Sequence, residues 1–265
     1  MGILNATPDS FYEGSRVQTE EQIARRACQI VEEGGQMIDV GAFSTRPGGA
    51  EVTEEEEMRR LRRALAIVRK EQPDAIVSVD TFRPDVAKMS VEEFGADIIN
   101  DVSEGGITGV AFQPLNEEQA EYPLMFRMAA QLNVPYILMS VQPTLRQMLI
   151  SFAKELQQLR DLGVKDIILD PGYGFGKTLE QNYDLLNEAE KLQILGFPIL
   201  VGVSRKSMIY KKIGGDASTA LNGTTILNTL SVLKGARILR VHDVKEACEV
   251  CALTPLPAAE TPVYP

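Results

Sequence analysis

The chain has 265 residues, 44% hydrophobic and 24% charged, the composition of an ordinary globular protein long enough to bury one large core. A net charge of -10, with no basic stretch outside mixed helices, argues against a general nucleic-acid binder, because neutralising phosphates requires an excess of lysine and arginine, while an anionic small ligand stays open where positive groups converge locally. Three cysteines, an odd number, suit a reducing compartment better than a disulfide framework.

Eight short apolar runs follow one another along the chain, and each stops at polar residues or glycine. They are Gly2 to Leu4 before Asn5, Met37-Ile38 before Asp39, Ile76 to Val79 before Asp80 and Ile98-Ile99 before Asn100. Tyr136 to Met139 before Ser140, Ile167 to Leu169 before Asp170, Ile199 to Val201 before Gly202 and Ile238-Leu239 before Arg240 complete the set. A parallel strand buried on both faces reads as an unbroken apolar run, so these predict strands near 2–5, 36–40, 75–80, 96–101, 134–139, 166–170, 198–202 and 236–241.

The gaps carry helical periodicity. Ile23, Ala27, Ile30, Val31 and Gly34 share one face; Met58, Leu61, Leu65 and Val68 share another; Met148, Leu149, Phe152, Leu156 and Leu159 share a third. Thr19 with Gln22, Thr53 with Glu56 and Thr178 with Gln181 have capping-box spacing, in which two backbone donors at a helix start are satisfied reciprocally. Strands alternating with helices predict an α/β fold, a (β/α)8 TIM barrel, as a single domain over residues 1–253. Residues 107–123 break the rhythm, and the proline-rich tail at 254–265 is expected to be disordered. No basic-then-apolar leader is present, the run from Ile194 to Val203 is too short to span a bilayer, and Ala6 breaks the myristoylation pattern. A cytoplasmic location is expected.

Barrel closure would bring Asn5, Asp80, Asn100, Asp170, Lys206, Arg240 and His242 around one mouth, the usual place for catalysis in this architecture. Each alone reads better as a strand-end turn residue or solvated charge than as a functional group; seven on one rim point to a site. Ser44-Thr45-Arg46-Pro47-Gly48-Gly49 has the composition of a substrate lid, with Arg46 supplying a fork for carboxylate or phosphate. The glycines of Asp170 to Thr178 resemble a phosphate cradle, but the Walker spacing is not met.

Seven ordered motifs now converge: Met1 to Phe11 (MGILNATPDSF), Ser44 to Gly48 (STRPG), Ser78 to Thr81 (SVDT), Ile98 to Val102 (IINDV), Leu169 to Thr178 (LDPGYGFGKT), Val201 to Ser207 (VGVSRKS) and Leu239 to Val244 (LRVHDV). With them the chain resembles the dihydropteroate synthase family of pterin-binding enzymes, from residue 1 to about 253. The resemblance implies a folate-pathway transferase, the target of sulfonamides, that joins p-aminobenzoate to 6-hydroxymethyl-7,8-dihydropterin diphosphate and releases diphosphate. It implies that Asp170, Asn100 and Lys206 read the polar edge of the pterin, and that Val102, Ile137, Met139, Phe175 and Gly202 wall it. It makes Asp80, Lys206 and Arg240 the catalytic set, with Asp80 also counted among the pterin-binding residues and favouring the cation that develops on the methylene carbon. Arg240, His242 and Asn5 would face the diphosphate, Asn5 also contacting Mg2+ as cofactor. Thr45, Arg46, Pro47 and Ser207 would hold p-aminobenzoate, Ser207 through its hydroxyl or backbone N–H. A homodimer built through outer helices is implied as well.

Some signals are declined. His242 is the sole histidine, which excludes a multi-histidine zinc site and a Ser/His/Asp constellation using another histidine. Cys248 and Cys251 are spaced as C-x-x-C on an expected terminal helix, where a redox motif is out of place. Glu54 to Glu57 read as a solvated first helical turn. The chain also departs from the family pattern. It begins inside the first strand, which puts closure of the barrel's lower end in question; Phe43 replaces a common glutamate, and Ser140 to Thr144 replaces a histidine-containing turn. Open alternatives are a methyltetrahydrofolate-dependent methyltransferase barrel and a pterin-binding paralogue without activity. A Schiff-base aldolase using Lys206 is weaker, since Asp80 and Asp170 nearby would raise the amine's pKa.

Overall fold

The computed structural model describes residues 1–6, 20–43, 52–106 and 122–255. Expectations for Thr19, the lid with Thr45, Arg46 and Pro47, most of the 107–123 segment and the tail beyond Pro255 lie outside the described residues.

Eight parallel strands stand in sequence order: β1 (Gly2–Asn5), β2 (Met37–Gly41), β3 (Ile76–Asp80), β4 (Ile98–Asp101), β5 (Tyr136–Met139), β6 (Ile167–Asp170), β7 (Ile199–Val201) and β8 (Ala236–Leu239). The circle closes where Gly2 bridges Val241, with Ile3 N–H donating to Val241 O at 2.9 Å and Val241 N–H to Met1 O at 3.0 Å. Around it run α1 (Glu20–Glu32), α2 (Glu54–Glu71), α3 (Pro84–Phe94), α4 (Leu124–Leu132), α5 (Leu145–Asp161), α6 (Leu179–Asn187), α7 (Ser207–Ile213), α8 (Leu221–Leu233) and α9 (Val244–Leu253). The architecture is a (β/α)8 barrel.

The periodic faces pack as their spacing requires. Ile23, Ala27 and Ile30 of α1, Leu61, Leu65 and Val68 of α2, and Met148, Phe152, Leu156 and Leu159 of α5 are buried against the strands, while Val31 turns partly to solvent. Truncating a fully buried residue such as Leu65 to alanine would cost about 2–5 kcal/mol through lost transfer energy and the cavity left behind. At Thr178 the full capping box forms with Gln181. Only half forms at Thr53: its side chain accepts from Glu56 N–H, but the Glu56 carboxylate is drawn away to Arg59 and Arg60. Thr144 caps α5 in the same one-sided way.

Because side chains alternate along a strand, every second residue enters the barrel. Val40, Val77, Val79, Ile99, Leu138, Leu169, Val201 and Leu239 face outward into the helix-covered core. The inward set begins with an apolar plug of Ile98, Ile137 and Leu200, against which Met1, Met37, Ile168 and Ile238 pack. Two residues further along the same strands the inward positions become Asp39, Asn100, Met139, Asp170, Gly202 and Arg240. A dry floor thus carries a polar layer, and that layer faces the carboxyl ends of the strands.

Candidate active site

Asp39 of β2, fully buried, is the centre of one half of this layer. Its Oδ1 accepts the Ser78 hydroxyl at 2.6 Å, and its Oδ2 accepts Asn100 Nδ2 at 3.1 Å and Arg240 Nε at 2.6 Å. The Arg240 guanidinium spans two carboxylates, since its Nη2 also donates to Asp80 Oδ2 at 2.6 Å. Burial pushes the Asp80 carboxyl up; the charge of Arg240 opposes that, and Asp39 adds to it. Burial acts against Arg240 as well, but Asp39 and Asp80 outweigh it and leave the guanidinium firmly charged. Asn100 Oδ1 is buried without a hydrogen-bond partner, an acceptor held ready inside a low-dielectric cup.

The other half comes from the ends of β6 and β7. Asp170 Oδ1 accepts Gly172 N–H at 2.7 Å, and burial raises its carboxyl against the pull of Lys206. Gly172 has φ +64°, and a Cβ there would sit 2.1 Å from Ser140 O, so neither the turn nor the space admits another residue without strain. Lys206 enters through the turn after β7. Arg205 takes the left-handed conformation (φ 53°) and is held in it by a two-pronged pair with Asp243 at 2.9 and 2.8 Å and by the carbonyls of Ala217 and Ser218. This swings Lys206 to the mouth, where Nζ donates to Tyr173 O at 2.5 Å and lies 4.6 Å from the centre of the Phe175 ring. Burial draws its amine down to about 8, overcoming Asp170 and Asp80, which act in the opposite direction. The expectation that these carboxylates set the lysine's pKa is therefore corrected: their sign is as expected, but desolvation is larger.

The remaining predicted residues sit around these two halves. Gly202 lies between them: a Cβ there would be 3.8 Å from Arg240 Cβ and 3.9 Å from Lys206 Nζ. Met139 pairs in register with Asp170, and Val102 is buried just beyond β4. Ile137 belongs to the plug below and reads as core. His242 N–H donates to Ser204 Oγ at 3.1 Å, and the same hydroxyl lies 3.0 Å from the ring Nδ1, which fixes the imidazole's position beside the loop after β7. Asn5 ends β1 opposite Gly41, which in turn abuts Asp80, and Ser207 begins α7 directly after Lys206. Thr45, Arg46 and Pro47 are outside the described residues.

Comparison with known proteins gives the arrangement its context. Residues 1–242 match the model of the pterin binding enzyme family. A dihydropteroate synthase of Clostridium beijerinckii is 37% identical over 263 residues, 96% of this chain and 92% of that protein. The chain belongs to the dihydropteroate synthase family. A Yersinia pestis dihydropteroate synthase solved with a sulfonamide drug superposes with TM-score 0.84 at 31% identity, covering 96% of this chain and 91% of that one. A Xanthomonas albilineans dihydropteroate synthase solved with 4-aminobenzoic acid gives 0.82 at 31% identity, covering 97% and 93%.

Asp39 and the pair Arg205–Asp243 belong to this arrangement without being among the site residues expected from the sequence. Strand parity is the signal for the first: Asp39 stands two residues before Gly41 as Asn100 stands two before Val102. Nothing local marks the second.

Proposed function

We propose that the chain performs the reaction of its family at this mouth, joining p-aminobenzoate to 6-hydroxymethyl-7,8-dihydropterin diphosphate to give 7,8-dihydropteroate and diphosphate. The observation that carries this reading is the polar layer: a buried carboxylate, a charged lysine and a buried amide oxygen without a partner, walled by apolar side chains. Asp170 would accept paired N–H groups of the pterin edge, Asn100 Oδ1 another, and Lys206 would donate to the ring's acceptor. An analogue lacking those groups would leave buried polar atoms unmatched, which is how such a site selects.

In the chemical step the bond from the methylene carbon to the diphosphate oxygen breaks, the aniline nitrogen bonds to that carbon, and the nitrogen loses a proton. Positive character grows on the carbon and spreads into the pterin; the Asp80 carboxylate favours that state over the neutral reactant. Arg240 already lies on Asp80 and Asp39, so it is oriented before diphosphate arrives, and His242, held through Ser204, would face the diphosphate from the adjoining loop. The aniline nitrogen needs no activation, and the protein's share is to orient it and exclude water, with Ser207 on the carboxylate side.

Mg2+ fits as an ion that arrives with the diphosphate. Among the described residues no cluster of three or more His, Cys, Asp or Glu could cage a metal, and Asn5 offers one amide oxygen at a strand end on the mouth. A hard cation that keeps most of its waters needs little more from the protein. Bound there, it would neutralise charge on the diphosphate oxygens.

We also propose that two copies pair through α7 and α8. Ile226, Leu230 and Leu233 form an exposed stripe at helical spacing on α8, and Ile213 at the end of α7 is exposed as well; a two-fold dimer would bury such apolar side chains against their own copies. Leu230→Glu should halve the mass measured by light scattering. Among the described residues no helix is long and apolar enough to cross a membrane.

The direct test is incubation of the purified protein with the pterin diphosphate, p-aminobenzoate and Mg2+, following diphosphate release and pteroate formation together. Both products in equal amounts are expected. Pterin binding without turnover would indicate a binding paralogue and overturn the catalytic reading.

A further inference from the structure

We propose that Lys177 is a positioning residue: its ammonium pins the loop after β5 to the loop after β6, and so fixes the wall on which Asp170, Phe175 and Lys206 meet the pterin. The proposal rests on the pterin-binding reading above.

The geometry is specific. Lys177 Nζ donates to Ser140 O, Gly172 O and Phe175 O, each at 3.1 Å. An ammonium has three protons, and here each meets one carbonyl, two from its own loop and one from the neighbouring loop. Without the cation, three carbonyl dipoles would converge on an empty point. The two loops are pressed together at the same place: besides Gly172 against Ser140 O, a Cβ on Gly176 (φ +61°) would sit 2.8 Å from Val141 O. The contact extends to a third loop, since Val141 N–H donates to Glu104 Oε1 at 2.8 Å and Glu104 itself holds a positive φ of 51°. Strain of that kind persists where surrounding contacts over-determine it.

What the pin holds is the binding wall. Gly172 N–H bonds the Asp170 carboxylate, Tyr173 O receives Lys206, and the Phe175 ring lies under the same ammonium. All three belong to the short segment between Asp170 and Lys177. A shift of the segment moves the anion, the cation's anchor and the apolar wall together. Lys177 spends its own donors on backbone carbonyls and acts through Asp170, Phe175 and Lys206. Its charge is also costly where it sits, burial drawing the amine down to about 8, so an apolar residue would serve better if packing were the whole purpose.

The test uses Lys177→Met, which keeps the stem and removes the donors, and Lys177→Ala with and without added propylammonium chloride. Three quantities are read at one ionic strength: affinity for an unreactive pterin, KM for p-aminobenzoate at saturating pterin diphosphate, and the thermal midpoint. Lys177→Met should lose pterin affinity about tenfold or more, as expected when a binding wall is displaced, while KM for p-aminobenzoate stays within about twofold. Propylammonium, but not sodium chloride, should restore part of the affinity of Lys177→Ala. If Lys177→Met does not fold, that restoration alone decides. Wild-type pterin affinity in either variant, or equal losses for both substrates, would overturn the proposal and leave the functional reading intact. A wild-type protein that binds no pterin would overturn both.

Discussion

Asp39→Asn isolates the charge at the centre of the polar layer while keeping its shape. Asp39 Oδ2 accepts from two donors, Arg240 Nε and Asn100 Nδ2, so asparagine must present its oxygen there and turn its amide toward Ser78, whose hydroxyl can rotate to accept. What disappears is the negative charge beside a buried guanidinium. Removing one partner of a buried pair costs about 3–5 kcal/mol. Arg240 keeps Asp80 at 2.6 Å, which places the expected loss at the lower end, about 3 kcal/mol or roughly 150-fold in the folding equilibrium. Urea denaturation followed by circular dichroism at neutral pH reads this as a lowered midpoint at unchanged slope. In an Arg240→Met background the same substitution should cost far less, because the pair is already gone, giving a coupling of at least about 1.5 kcal/mol. A loss below about 1 kcal/mol, or full additivity of the two substitutions, would refute the claim that Asp39 holds Arg240 in place.

Other outcomes follow from the same geometry. Asp80→Asn should lower kcat about a hundredfold, the scale for losing one preorganised electrostatic group, with pterin affinity little changed; single-turnover kinetics checks it. The Lys206 amine, near 8 when folded and 10.5 when unfolded, is charged in both states at neutral pH, so its burial cost is borne by the folded state. Relative to Lys206→Met, wild-type stability should therefore rise as pH passes from about 8 toward 10.5, while pterin affinity falls over the same range; paired denaturation and binding curves test both signs. Gly172→Ala meets Ser140 O and needs a left-handed turn that costs about 1–2 kcal/mol before any clash, so a lowered thermal midpoint and weakened pterin binding should appear together.

The fold was legible because period-two and period-3.6 patterns are local, and in this barrel the strands occupy the runs read from the apolar residues. Asn100, Asp170, Lys206 and Arg240 could be placed at the mouth for the same reason: a strand end has one direction. Asp39 stands where the apolar run Met37-Ile38 stops, yet β2 continues through Val40 to Gly41, so its carboxylate points inward from within the strand. Its partners are 39, 61 and 201 residues away, and no local pattern announces them. The Lys206 amine shows the limit of counting charges. Two nearby carboxylates are visible in sequence, but the burial that outweighs them belongs to the closed barrel. Half of the Thr53 box failed because Arg59 and Arg60, on the same helix, offer Glu56 stronger charge-assisted partners than a backbone N–H.

Calorimetric titration of an unreactive pterin into the wild-type protein and into Asp170→Asn bears most directly on the central claim, that one buried polar layer above an apolar plug reads the edge of a pterin. One pterin per chain is expected, with affinity falling between about tenfold and a hundredfold in the variant, the worth of hydrogen bonds to a buried charge. Equal affinity in the two proteins, or no binding to either, would contradict it.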